Sequence, residues 1–152
     1  MLLGAPGSGK TSLLRWLTLR YAYSALEGFK RVYLNEVELE SVRIPILIRL
    51  GKFAEWLTRK PAATLIDYIG YQTWLGELYM VEDYEEVLKC AVYQGRALIL
   101  LDGLDEVVTF EQQTRVRHLA IEFISEYVRS NSQVSAFDDI VLVHIEDEYV
   151  GE

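Results

Sequence analysis

Near its start the chain reads Gly4-Ala5-Pro6-Gly7-Ser8-Gly9-Lys10-Thr11. This stretch fits the pattern Gly-x-x-x-x-Gly-Lys-[Ser/Thr] at every fixed position. Glycines at 4, 7 and 9 let the backbone turn tightly and aim its N–H groups inward, a concave seat for phosphate oxygens. Lys10 is placed to reach β- and γ-phosphates as a point charge. Thr11 offers a hydroxyl to a magnesium ion. A helix that begins here would aim its positive dipole end at the same anion. The rival reading is a glycine turn that merely caps a helix. Context separates the two, because a phosphate loop follows a strand and opens a helix. Met1-Leu2-Leu3 is an apolar stub before the loop, and Ser12 to Tyr23 is an amphipathic run after it. The stub is shorter than a usual strand of about five residues. Either that strand is clipped or the chain is a fragment of a longer protein.

The rest of the chain alternates helical and apolar extended patterns. Leu13, Leu14, Leu17 and Tyr21 recur at helical spacing, with Trp16 at the edge of the face and Gly28 as the stop. Arg31 to Glu40 alternates Val32, Leu34, Val37 and Leu39 with polar residues, the mark of a short strand or an extended linker. Ile44-Pro45-Ile46-Leu47-Ile48 reads as a strand buried on both faces, with Pro45 where a missing donor matters least. A helix with Phe53, Trp56 and Leu57 on one face spans Gly51 to Lys60 and stops at Pro61. Thr64 to Tyr71 forms another, with Thr64 as N-cap and Asp67 completing something close to a capping box. Glu82 to Gln94 is a third, turning Tyr84, Val87, Leu88 and Ala91 inward and ending at Gly95.

Ala97-Leu98-Ile99-Leu100-Leu101 is the most hydrophobic stretch and reads as a central parallel strand. Glu111 to Arg129 is a long helix with Val116, Ala120, Phe123, Ile124 and Tyr127 inward; a polar loop from Ser130 to Ser135 and a last strand, Ile140 to Val143, follow. Strands alternating with helices predict an α/β fold: a parallel sheet with helices on both faces, in three layers.

A phosphate loop binds but does not hydrolyse. The missing part is an acid at the C-terminal end of a strand beside it, where α/β sheets place their ligands. Asp102 directly follows the apolar run and can share magnesium with Thr11. Gly103 lets the backbone pass close by without a Cβ. Asp105 and Glu106 add two carboxylates within a turn, either of which can activate water. Taken singly, Asp102-Gly103 is a common turn and Asp105-Glu106 an acidic first turn of a helix. Together with the glycine loop, and in this order, they point to one site.

At 152 residues with 51% hydrophobic content, the chain suits one folded domain rather than a disordered one. A formal net charge of −8 disfavours nucleic acid and anionic membranes as partners. The single cysteine, Cys90, excludes an internal disulfide and fits a reducing, cytoplasmic setting; as a free thiol in a helix it reads as a small buried hydrophobe. His118 and His144 have no metal-ligand spacing. No apolar run approaches the ~20 residues of a membrane helix, and no secretory signal marks the start.

The glycine loop, the run Ile44 to Leu50 and the run Leu98-Ile99-Leu100-Leu101-Asp102-Gly103-Leu104-Asp105-Glu106-Val107 resemble a NACHT domain. This is the nucleotide-binding module of the signal transduction ATPases with numerous domains. The small residue after Asp102 and the paired acids beyond it carry the likeness, and Phe53-Ala54-Glu55-Trp56-Leu57 is similar to prokaryotic members. The resemblance covers roughly residues 1–128. It implies a P-loop NTPase fold of the ASCE type, incomplete here at both ends. It also implies an ATP-driven signalling or defence switch with fused sensor and effector domains, and a homo-oligomer in the full-length protein.

The nucleotide-binding residues it implies are Gly4, Ala5, Pro6, Gly7, Ser8, Gly9, Lys10, Thr11 and Ser12. Thr11 and Asp102 would hold Mg2+, and Asp105 or Glu106 would be catalytic. ATP is the expected nucleotide and GTP an open alternative. One departure stands out: such domains carry an arginine after the next strand, whereas Ile140-Val141-Leu142-Val143 is followed by His144-Ile145-Glu146. From Asp138 to Glu152 there are six acids and no lysine or arginine. Residues 130–152 thus diverge, and binding is expected to survive better than turnover. The expectation is an ATP-binding, weakly hydrolysing switch core. A degenerate nucleotide-binding or interaction module without turnover is the alternative. A small-molecule kinase is a third reading, which Asp102-Gly103-Leu104-Asp105-Glu106 does not favour.

Overall fold

The computed structural model describes residues 9–34, 36–71 and 84–130. Residues 4–8 of the glycine loop, Glu82, most of the expected polar loop (131–135), the expected last strand (140–143) and His144 lie outside these residues. The described chain is mixed α/β. In order it runs α1 (Lys10–Leu26), β1 (Arg31–Leu34), β2 (Val37–Ser41), β3 (Ile44–Arg49), α2 (Leu50–Arg59), α3 (Leu65–Tyr71), α4 (Tyr84–Tyr93), β4 (Ala97–Asp102) and α5 (Phe110–Ser130).

Strands β3 and β4 pair in parallel, from Ile44 opposite Ala97 to Arg49 opposite Asp102. Successive side chains on a strand point to opposite faces, and β4 is buried along its whole length, so this pair sorts the molecule into two cores. Ala97, Ile99 and Leu101, with Ile46 and Ile48 of β3, join the larger core formed with α2, α3, α4 and α5. Leu98 and Leu100 face the other way, onto Leu14 and Tyr21 of α1 and Val32 of β1. Helices therefore cover both faces of the parallel pair.

The cap of α3 is a reciprocal one. The Thr64 backbone N–H and hydroxyl both donate to Asp67 Oδ2, at 2.9 and 2.7 Å, and the Asp67 N–H donates weakly back to Thr64 Oγ1 at 3.5 Å. These bonds, the Thr64 backbone N–H first, hold the Asp67 carboxyl below the usual range. Gly95 closes α4 with a positive φ of 65°.

Several expectations need correction. Arg31 to Ser41 is an antiparallel hairpin, β1 with β2, rather than one strand or a linker. Its two arms are tied by the Arg31–Glu38 ion pair and by Tyr33 Oη donating to Glu38 at 3.2 Å. Leu13 is 39% exposed, because α1 turns Leu14, Leu17 and Tyr21 to the sheet and leaves Leu13 on the shoulder. Val87 is 54% exposed; α4 buries Leu88, Ala91 and Val92 instead. Leu119 packs against the larger core, a contact its position outside the chosen stripe had hidden. Cys90 is half-buried rather than buried. No helix among the described residues is long and apolar enough to cross a membrane.

Candidate functional site

The C-terminal ends of β3 and β4 and the start of α1 meet at one edge of the parallel pair. Gly9 takes a left-handed conformation, φ 86° and ψ 11°, immediately before α1. Only glycine adopts this freely. Its carbonyl accepts the first helical bond, from the Leu13 N–H at 2.9 Å. The first turn of α1 has no acidic side chain and no side-chain cap. Helix N-termini carry unpaired N–H donors that suit anions. Lys10 is half-buried at that end and Ser12 is exposed in the same turn.

Asp102 is the last residue of β4 and only 5% exposed. Thr11 Oγ1 donates to Asp102 Oδ1 at 3.0 Å, across 91 residues of sequence. A hydrogen bond to a carboxylate contributes about 1.5–3 kcal/mol, and losing the donor of a buried one costs at least as much. The two oxygens form a hard donor set of the type magnesium takes alongside phosphate and water. Among the described residues no group of three or more His, Cys, Asp or Glu side chains could hold a metal without such help. The residues fit a magnesium ion that arrives with a phosphate, and do not form a stand-alone metal cage.

Beyond Asp102 the chain makes a compact turn. Gly103 has φ +75°. The Glu106 N–H donates to the Gly103 carbonyl and the Val107 N–H to the Leu104 carbonyl, both at 3.2 Å. Leu104 and Val107 are buried in the larger core and pin the turn, while Asp105 and Glu106 face out. Gly103 spares room for Glu106, whose Oε2 would lie 3.1 Å from a Cβ at that position. The Thr109 hydroxyl then caps α5, accepting from the Gln112 N–H at 3.2 Å.

Glu106 Oε2 is 3.3 Å from Nη2 of Arg49, the last residue of β3 and the register partner of Asp102. Both side chains are about half exposed, 50% and 51%, so the pair contributes about 0–1 kcal/mol. A cleft of about 470 Å³ opens beside it, with Gly51, Lys52, Thr109 and Gln112 on its walls.

Of the expected site residues, the fold brings together Thr11 and Asp102, and seats Glu106 one turn further along. Asp105 sits in that turn but points to solvent. Gly4, Ala5, Pro6, Gly7 and Ser8 lie outside the described residues. Arg49 was missed as a site residue. Its signal was a charge at the end of an apolar strand, the same signal that picked out Asp102. Burial raises Tyr84 and Tyr127, and the hydrogen bond to Glu85 raises Lys89. No family model matches the chain, and no curated protein and no solved structure matches it.

Proposed function

We propose that this chain is the Mg-ATP-binding core of a nucleotide switch of the NACHT type, on a three-layer P-loop NTPase fold, with slow hydrolysis. The observation that carries the reading is the Thr11–Asp102 hydrogen bond. It joins the residue after the glycine-loop lysine to the acid at the end of a buried parallel strand. Parallel sheets bind ligands beyond these strand ends, and the start of α1, at Gly9 and Lys10, lies there as well.

Each residue then has a task. The backbone N–H groups from Gly4 to Gly9, Pro6 excepted, seat the phosphates, with Ala5, Pro6 and Ser8 shaping the loop and Ser12 supporting it from the first helical turn. Lys10 neutralises the β- and γ-phosphates. Thr11 and Asp102 would hold magnesium, which supplies charge neutralisation on the phosphate oxygens when bound. Glu106, with Asp105 as the other candidate, accepts a proton from the attacking water. GTP remains the alternative nucleotide, since base readout lies outside the motifs that carry this reading.

The central test is Mg-ATP affinity of the wild type and of Lys10→Ala by calorimetry. At least a tenfold loss is expected from removing a charge on the phosphates; equal affinities would sink the proposal. The Arg49–Glu106 pair also supports a second reading, a module that binds nucleotide without turning it over, because it engages the carboxylate that water activation requires. Magnesium-dependent phosphate release that vanishes in Glu106→Gln rules that reading out.

A further inference from the structure

Helix α1 is apolar on two nearly opposite sides. Leu14, Leu17 and Tyr21 face the sheet. On the outer side Trp16, Leu19, Tyr23 and Leu26 recur at spacings of three, four and three, the interval that stacks side chains along one face of a helix. They are 38, 70, 53 and 86% exposed. A helix that is apolar all round is normally buried, yet here the outer stripe stands open. Arg20 does not fold over it, because its guanidinium donates to the Tyr33 carbonyl at 3.0 Å. With about 150–250 Å² for a whole large side chain, the four residues expose roughly 400 Å². A contiguous apolar patch of this size marks an interaction surface rather than scattered surface residues.

We propose that this face of α1 is where two copies of the chain associate, antiparallel, about a two-fold axis level with residue 21. The inference does not rest on the Mg-ATP reading, and the stripe begins beyond Lys10 and Thr11.

Three physical points select a second copy. A two-fold interface must be complementary to itself. The three-four-three spacing reads the same in both directions, so an antiparallel copy meets it layer for layer. Trp16 lies against the partner's Leu26, and Leu19 against the partner's Tyr23; each layer sets a ring against a leucine and evens the gap between the helices. Charge then sets the direction. Arg15 and Arg20 stand on opposite flanks of the stripe. In a parallel pair they would occupy the g and following e positions, which meet across the seam, and would repel. In the antiparallel pair the two copies of Arg15 are about 18 Å apart along the axis. Arg20 lies on the same flank as the partner's Glu27, within about 8 Å along the axis, which offsets its repulsion from the partner's Arg20. Finally, a standard interface takes about 800 Å² from each partner, somewhat over half of it apolar, and the stripe supplies an apolar share of that order.

Sedimentation equilibrium of the 152-residue chain tests the assignment. The wild type should approach twice the 17.5 kDa of one chain, with half-dissociation between about 1 and 100 μM. Leu19→Glu and Leu26→Glu should each weaken association at least about thirtyfold, because they bury a charge in the seam. Ile121→Glu, at an exposed apolar position on α5, should leave it within about twofold. All three positions stand in solvent, so the far-ultraviolet circular dichroism of each variant should match the wild type. Leu19→Glu and Tyr23→Lys chains should be monomeric alone and dimeric when mixed in equal amounts, because antiparallel layering sets position 19 against position 23. A wild type that stays monomeric at about 100 μM overturns the proposal and leaves the face to another occupant, either the chain's own residues 131–152 or a different protein. A dimer that survives both Leu19→Glu and Leu26→Glu, or a mixture that fails to associate, overturns it as well.

Discussion

Asp102, at the end of β4, and Glu106, in the turn beyond it, are two carboxylates a single turn of chain apart and held in opposite ways. Asp102 is buried, and its partner Thr11 is fixed on α1 by the core that Leu14 and Tyr21 make with the sheet. Glu106 projects from a turn whose apolar neighbours are anchored, but its own carboxylate and its partner Arg49 stand half in water. Burial makes the first contact expensive to break and hence rigid. Exposure makes the second cheap and hence exchangeable. The switch proposed above would use both: a fixed point to grip the ligand and a movable one to respond to it.

The contrast can be broken from the rigid side first. Leu101 is 1% exposed and packs beside Asp102 in β4. Leu101→Ala should cost about 2–5 kcal/mol in urea unfolding. A cost below ~1 kcal/mol would mean that the core does not hold this strand end in place. Thr11→Val keeps the shape but strips the buried carboxylate of its donor. A loss of at least about 1.5 kcal/mol is expected, and no measurable loss would place Asp102 on the movable side with Glu106.

The cap of α3 sharpens the comparison, because it is exposed yet geometrically tight. Thr64→Ala should cost about 1 kcal/mol near neutral pH. The folded Asp67 carboxyl titrates below the 3.8 of the unfolded group. Its contribution is therefore present above that value and lost as pH falls through the folded pKa. The difference between wild type and Thr64→Ala, followed by unfolding at stepwise lower pH, should shrink below about pH 4; a gap constant down to pH 2 would disprove the carboxylate's part. Smallest of all should be the stability effect of Glu106→Gln, within about 0.5 kcal/mol. A loss comparable to that of Thr11→Val would erase the distinction between the two carboxylates.

Legibility in the sequence followed the same divide. β4 was readable because five apolar residues bounded by Gly95 and Asp102 leave few alternatives, and the strand extends only one residue further. The Thr64 cap was readable because both partners lie within one turn. The hairpin was not, since its four alternating apolar positions also suit one longer strand; only Asn35, a residue that favours turns, marked the break. Leu13 and Val87 fit the helical periodicity of the sequence, but a stripe on a helix has two shoulders, and which shoulder is covered depends on what packs against it.

By itself the sequence determined the phosphate-loop pattern, the apolar strands with a charge at each end, and the order of helices and strands between them. These are local: periodicity, a terminal glycine or an acid after an apolar run is set by neighbours in the chain. The tertiary structure alone decided that Thr11 meets Asp102 across 91 residues and that Arg49 meets Glu106 across 57. Nothing local specifies either pairing. Parallel register set Arg49 opposite Asp102, packing of α1 on the sheet brought Thr11 to it, and the burial of Leu104 and Val107 turned Glu106 back toward the arginine.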